Sequence, residues 1–177
     1  KAIHKKMNDW TPLFTQEEIQ TRVKELGKEI SRDFANKDVL ALGVLKGACI
    51  FFSDLIRSIE TPLAIDFFIA SSYEKTKSSG NLEIHYEKKE TAKDKDVLII
   101  DDIVDTVLTL SLLKKQILKE NPRSVKLCTL LDKKERREVE LEVDYVGFEI
   151  PDPFVVRYGM DYENKFRNLP FIAEFLP

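Results

Sequence analysis

An apolar segment that runs directly into acidic residues constrains this chain most. The run Val97–Ile100 is followed by three carboxylates, Asp101, Asp102 and Asp105, and then by a helical pattern. An apolar run of this kind is typical of a strand buried on both faces of a parallel sheet. Capping of the helix explains Asp105 or Thr106. It does not explain two adjacent acids where a buried strand ends.

Strand-like and helix-like patterns alternate along the rest of the chain. Thr15 and Glu18 fit a capping box, and apolar residues then recur at spacings of three or four as far as Phe34, which predicts an amphipathic helix. Further helices are predicted from residue 47 to about 60 and from 107 to 120. Apolar runs predict strands at residues 39–45, 63–70, 96–102, 125–131, 144–150 and 154–156. This alternation predicts an α/β fold whose mostly parallel sheet carries helices on both faces.

A polar stretch separates the second predicted strand from the third. Residues 71–90 combine serine, glycine and asparagine with charged side chains. Long loops inside compact domains often serve as lids over active sites. We therefore predict a mobile lid at 71–90.

Length and composition exclude several classes of protein. A chain of 177 residues suits a single domain, predicted over residues 1–177. The formal net charge of −3 argues against nucleic-acid binding. Cys49 and Cys128 form no zinc or disulfide pattern, so we expect a cytoplasmic protein. No apolar run approaches the ~20 residues that span a bilayer, so we expect no membrane association.

Acids at the end of a strand suggest a particular chemistry. Such acids bind ribose hydroxyls or a divalent cation, and the amides at a helix start bind phosphate. Ligands of parallel sheets bind beyond the carboxyl ends of the strands. The spacing therefore favours a phosphosugar site over helix capping alone, and both interpretations stay open at this point.

Six segments together resemble one enzyme family. Val97–Ser111 resembles the phosphoribosyl-diphosphate (PRPP) motif of type I phosphoribosyltransferases. Five further segments resemble the bacterial hypoxanthine-guanine phosphoribosyltransferases of that family: Leu42–Leu55, Ser71–Tyr73, Cys128–Arg137, Val143–Val156 and Met160–Pro170. The resemblance implies a type I phosphoribosyltransferase fold. Its mostly parallel central sheet is flanked by helices, with a small hood from the N-terminal segment and residues 150–177.

The resemblance also implies an activity. Family members are purine salvage glycosyltransferases, which transfer the 5-phosphoribosyl group from PRPP to hypoxanthine or guanine and release pyrophosphate. It implies Mg²⁺ as cofactor and a homo-oligomer, either a dimer or a tetramer. The alternative is a non-catalytic regulator of the same fold that senses PRPP or nucleotides.

The residues that match the family's PRPP site cluster in three places. Asp101 and Asp102 match the acids that hold the ribose, and with Asp161 they match the Mg²⁺ contacts. Asp105 matches the general base that works on the purine. The remaining matches are phosphate contacts: Thr106, Val107, Leu108 and Thr109 for the 5′-phosphate, and Lys46, Gly47 and Arg167 for pyrophosphate.

Other matches concern the base and the lid. Lys133 matches a contact to the exocyclic oxygen of the purine, although a charge in this basic turn usually faces water. Phe154 matches the aromatic that stacks on the purine, although a lone phenylalanine is usually core. Val155 matches a backbone contact to the base. The lid matches are Ser71, Ser72 and Tyr73.

Three positions depart from the family pattern. Val107 and Arg157 stand where glycine is common, and Asp101 stands where glutamate is common. Valine disfavours a positive φ, so Val107→Gly is predicted to strengthen PRPP binding or to raise turnover. Arg157 is predicted either to narrow the base pocket or to point to solvent.

Overall fold

The computed structural model describes residues 12–69, 89–104, 107–134, 141–151 and 155–174. Of the predicted lid, it therefore describes residues 89 and 90 only. The described helices and strands follow one another as β1 (Pro12–Phe14), α1 (Gln16–Asp33), β2 (Val39–Leu45), α2 (Cys49–Ile56), β3 (Leu63–Ile69), β4 (Asp96–Val104), α3 (Leu108–Leu118), β5 (Ser124–Asp132), β6 (Tyr145–Glu149), β7 (Val155–Val156) and β8 (Ile172–Glu174).

Five of these strands form one parallel sheet, which confirms the predicted α/β fold. Its strand order is β3-β2-β4-β5-β6, and each neighbouring pair is parallel. After β2 the chain forms β3 at one edge of the sheet, and after β4 it forms β5 and then β6 at the other edge. The crevice between the carboxyl ends of β2 and β4 is therefore the place where a parallel sheet binds its ligand.

Helices cover both faces of this sheet, as the sequence predicts. The capping box of α1 is present, because Thr15 Oγ1 accepts from the Glu18 amide at 3.2 Å and Glu18 Oε2 accepts from the Thr15 amide at 2.8 Å. Buried residues of α1 and α2 pack with Leu98 and Ile100 on one face. Those of α3 pack with Val97 and Ile99 on the other. Alternate residues of β4 thus serve two separate cores, as its continuous apolar sequence requires.

A second, smaller sheet contains two strands that the sequence patterns do not reveal, β1 and β8, together with the predicted β7. It has the antiparallel order β1-β8-β7. Strands β1 and β8 have three residues each, too few for a periodic pattern. They place the N-terminal and C-terminal described segments side by side, in the region where the hood is expected.

Helix α2 ends at Ile56, earlier than the expected position near residue 60. The amides of Ser58 and Ile59 bond the carbonyls of Leu55 and Ile56. These are contacts between residues three apart, which tighten and end an α-helix. None of the described helices combines the length and apolarity needed to cross a bilayer.

Candidate active site

A cavity of about 320 Å³ opens at the carboxyl ends of β2 and β4. It gathers residues from both sheets and from the loops that join them. Its lining is Val44, Leu45, Gly47, Asp101, Asp102, Ile103, Lys133, Val155, Met160, Asp161 and Arg167. Seven of these residues carry a predicted site role, so positions up to 120 residues apart in sequence meet here.

The acid pair lies at the end of β4. Asp101 Oδ1 accepts from the Asp102 amide at 2.9 Å, and Asp102 Oδ1 accepts from the Ile103 amide at 2.9 Å. Burial raises the pKa of both carboxyls, and the charge of Asp102 raises the pKa of Asp101 further. Burial therefore opposes the ionisation of both acids, and a cation or hydroxyl donors in the cavity would relieve this cost.

The turn after β2 approaches this pair closely. The Gly47 backbone lies so near the Asp102 carboxylate that a Cβ at position 47 would overlap it. Only glycine permits this approach. The peptide bond between Leu45 and Lys46 is cis. Lys46 belongs to this turn, although the cavity lining does not include it.

Arg167 faces the acid pair from the segment after β7. Its Nη1 donates to the Gly159 carbonyl at 2.7 Å, and its Nη2 lies 2.7 Å from Asp161 Oδ1. The Nε of Arg167 is buried and has no acceptor among the residues that the structure describes. Two contacts therefore fix the Arg167 guanidinium, and its Nε–H can still donate to an anionic oxygen of a ligand.

Lys133 is 4% exposed, so the expectation that this charge faces water is wrong. Its amide donates to the Val104 carbonyl at 3.1 Å, which fixes the residue beside the end of β4. Val155, the first residue of β7, lies in the same cavity and is also buried. These two residues therefore occupy the wall expected to receive the base.

Both positions where glycine is common have a positive φ. Val107 has φ 69° at the N-cap of α3, and Arg157 has φ 88°. Val107 thus already holds a left-handed backbone, which glycine adopts without strain, and the effect of Val107→Gly on PRPP binding stays a prediction. Leu108 and Thr109 form the first turn of α3 after it.

The expectation that Arg157 points to solvent is wrong. The residue is 1% exposed, and it is not among the described residues that line the cavity. Its guanidinium carbon lies 4.5 Å from the ring centroid of Phe171 and 5.7 Å from that of Phe166. Stacking on these rings holds the side chain inside the C-terminal segment.

Some predicted residues cannot be placed. They lie outside the described residues and comprise Ser71, Ser72, Tyr73, Asp105, Thr106 and Phe154. Conversely, the cavity lining includes four residues that the sequence does not predict as site residues: Val44, Leu45, Ile103 and Met160. The first three lie at the carboxyl ends of β2 and β4, so the strand-end rule, applied to every strand, would have found them.

The described residues contain no group of three or more His, Cys, Asp or Glu side chains that could hold a metal ion by themselves. This observation suits Mg²⁺ in one respect. Mg²⁺ commonly binds through one or two carboxylates together with substrate phosphates. Asp101, Asp102 and Asp161 supply hard oxygen ligands in the cavity.

Comparisons with known proteins agree with this geometry. The phosphoribosyl transferase domain family matches residues 9–163. The chain is 46% identical to a hypoxanthine-guanine phosphoribosyltransferase of Bacillus subtilis, over 93% of this chain and 92% of that protein. It is 43% identical to one of Staphylococcus aureus, over 93% of each.

Solved structures give the same result. A crystal structure of a hypoxanthine-guanine phosphoribosyltransferase from Bacillus anthracis superimposes with a TM-score of 0.88 at 44% identity, covering 94% of this chain and 98% of that one. A hypoxanthine phosphoribosyltransferase from Staphylococcus aureus has a TM-score of 0.90 at 41% identity, covering 100% and 96%.

Proposed function

Because the chain belongs to the phosphoribosyl transferase domain family, we propose that it transfers the 5-phosphoribosyl group of PRPP to hypoxanthine or guanine. The products are IMP or GMP and pyrophosphate, as in purine salvage. The observation that carries this proposal is the buried acid pair, Asp101 and Asp102, in one cavity with Arg167 and Lys133.

The acid pair suits the ribose of PRPP. Vicinal hydroxyls donate to carboxylates, and such contacts favour the ionised form that burial opposes. Bound ribose would therefore lower the raised pKa values of Asp101 and Asp102. We therefore propose that the sugar binds at the end of β4.

The pyrophosphate end suits Arg167 and the Gly47 turn. The Arg167 guanidinium is held by Gly159 and Asp161, and its Nε remains available. The backbone at Gly47 lines the same cavity, beside the Asp102 carboxylate. As the C1–O bond breaks, its electron pair leaves with the pyrophosphate oxygen, and fixed cationic donors stabilise that charge.

The base suits the wall formed by Lys133 and Val155. Lys133 lines the cavity, and its ammonium can donate to the exocyclic oxygen shared by hypoxanthine and guanine. The purine N9 supplies the electron pair for the new bond to C1. We assign the purine proton to Asp105, with Phe154 stacked on the ring, on the strength of the family resemblance.

Mg²⁺ completes this proposal. Asp101, Asp102 and Asp161 are the residues that would hold it together with the substrate. When bound, it would neutralise charge on the pyrophosphate oxygens. We further propose a cytoplasmic homo-oligomer, a single domain over residues 1–177, and a hood built on the small sheet.

The test is an absorbance assay with Mg²⁺, PRPP and, in turn, hypoxanthine, guanine and xanthine. We expect turnover with hypoxanthine or guanine. Asp102→Asn is expected to lower kcat/KM for PRPP by about tenfold or more, the value of a lost charge-assisted hydrogen bond.

Asp96→Asn is the matched control, since this buried acid begins the same strand and bonds Ser124 at the opposite end of β4. Its folded fraction is expected to keep the wild-type kcat/KM. PRPP binding without turnover on any purine would refute the enzyme and favour a regulator. The relatives reported above give that alternative no support, because they are named as transferases.

A further inference from the structure

A tyrosine outside the cavity ties the two sheets together. Tyr158 lies two residues after β7 and is 5% exposed. Its hydroxyl donates to Asp54 Oδ2 on α2 at 2.6 Å. Tyr158 does not line the candidate active site. Its ring lies instead at a separate cavity of about 250 Å³, beside Asp54 and Arg57.

The residue after Tyr158 contacts the turn that carries Gly47. Gly159 has φ 97°, and a Cβ there would overlap the Gly47 carbonyl oxygen. The chain at Tyr158 and Gly159 therefore contacts α2 and the turn before it at two adjacent points. One is the hydrogen bond to α2, and the other is the backbone contact with the turn that begins α2.

Arg167 depends on this attached segment for its position. The Gly159 amide donates to the Arg167 carbonyl at 2.9 Å, and Arg167 Nη1 donates back to the Gly159 carbonyl at 2.7 Å. The Tyr158 amide donates to the Leu169 carbonyl at 2.9 Å. A shift of Tyr158 would therefore move both the backbone and the guanidinium of Arg167.

We propose that Tyr158 and Asp54 form a latch that positions Arg167, and through Gly159 the Gly47 turn, for the pyrophosphate group of PRPP. This inference rests on the proposed function. Tyr158 acts through its neighbours, so it is a positioning residue. It determines the affinity for the diphosphate end of the substrate and leaves the binding of the purine unaffected.

The chemistry of the pair supports a permanent latch. Burial and, to a smaller extent, the hydrogen bond to Asp54 raise the pKa of Tyr158, so the phenol remains a protonated donor at neutral pH. Arg57 Nη2 lies 3.3 Å from the other oxygen of Asp54. A hydrogen bond from a hydroxyl to a carboxylate is shorter and stronger than one between two neutral groups.

The chain offers a matched control for the latch. Tyr145 is also 5% exposed, and its hydroxyl also donates to an aspartate, Asp33 Oδ2, at 2.6 Å. This pair joins β6 to the end of α1 and does not line the candidate active site. Tyr145→Phe therefore removes an equivalent hydrogen bond, and with it a bond that Lys126 Nζ donates to the same hydroxyl at 3.2 Å, from a place where Arg167 is not involved.

The experiment compares wild type, Tyr158→Phe and Tyr145→Phe by steady-state kinetics and by calorimetry with magnesium pyrophosphate. Tyr158→Phe is expected to raise KM for PRPP and the Kd of pyrophosphate about tenfold, the loss produced by a displaced charge-assisted contact. KM for hypoxanthine is expected to change less than about twofold. Tyr145→Phe is expected to leave all three constants within about twofold of wild type, whatever its effect on thermal stability.

A double-mutant cycle separates the latch from a general loss of packing. Asp54→Ala is expected to reproduce the effect of Tyr158→Phe, and the double variant to add little to either, because one bond is removed in each case. Asp54→Asn keeps an acceptor oxygen and is expected to restore much of the pyrophosphate affinity.

Three results would overturn the latch. They are unchanged pyrophosphate affinity in Tyr158→Phe, an equal loss in Tyr145→Phe, or fully additive effects in the double variant. If the wild type bound pyrophosphate but turned over no purine, the proposed function would fail. The calorimetric comparison would then still decide for or against the latch.

Discussion

The backbone conformation of Val107 leads to an unusual prediction about the free energy of unfolding. It holds φ 69° and ψ −17° at the start of α3, while its side chain is 4% exposed in the core beneath that helix. Replacement by alanine and by glycine both remove the buried methyl groups. The two variants differ in the Cβ, which opposes the left-handed backbone.

The magnitude follows from two opposing terms. A Cβ in the left-handed region costs about 1–2 kcal/mol, and glycine avoids this cost. Glycine loses about 0.5–1 kcal/mol more than alanine through the entropy of the unfolded chain. The free energy of unfolding of Val107→Gly should therefore exceed that of Val107→Ala by about 0.5–1 kcal/mol.

Val97 supplies the control, because it packs in the same core from an ordinary position in β4. There Val97→Gly should be less stable than Val97→Ala by about 0.5–1 kcal/mol. Urea denaturation of the four variants measures both differences. The reasoning is refuted if glycine is the less stable substitution at Val107 by as much as at Val97.

Three further predictions concern the site. Asp101→Asn should stabilise the protein without ligand by about 1–2 kcal/mol at pH 8 while lowering activity. Burial raises the pKa of Asp101 in the folded protein above its unfolded value of 3.8. The free energy of unfolding of the wild type therefore falls as the pH rises from the unfolded pKa through the folded pKa. The advantage of the variant should therefore disappear near pH 3 in thermal melts. Lys133→Ala should raise KM for hypoxanthine at least about tenfold and change KM for PRPP little, and equal changes in both would contradict its contact with the base. Asp105→Asn should slow kcat by about 10²–10⁴-fold in the absorbance assay, and an unchanged rate would remove Asp105 as the base.

The large sheet could be predicted from sequence because its strands follow simple patterns. Strand β2 matches its predicted bounds, and the apolar run Val97–Ile100 of β4 serves two cores. The acids at the end of β4 then locate the site, because carboxyl ends of parallel strands meet at one edge. The burial of Lys133 shows the limit of local reasoning, since its basic neighbours suggest an exposed turn.

Contacts between distant segments could not be predicted in this way. Tyr158 and Asp54 lie 104 residues apart, and nothing in either local sequence indicates their hydrogen bond. Arg157 replaces a common glycine, yet its side chain is buried against Phe171. Such packing depends on how the small sheet is placed against the large one, and periodicity carries no information on that placement.

The most direct test of this account is a crystal structure grown with Mg²⁺ and PRPP. The account predicts ribose density at the carboxylates of Asp101 and Asp102, with the diphosphate between the Gly47 turn and Arg167. Density for PRPP anywhere else, with this acid pair making no contact to the sugar, would contradict it.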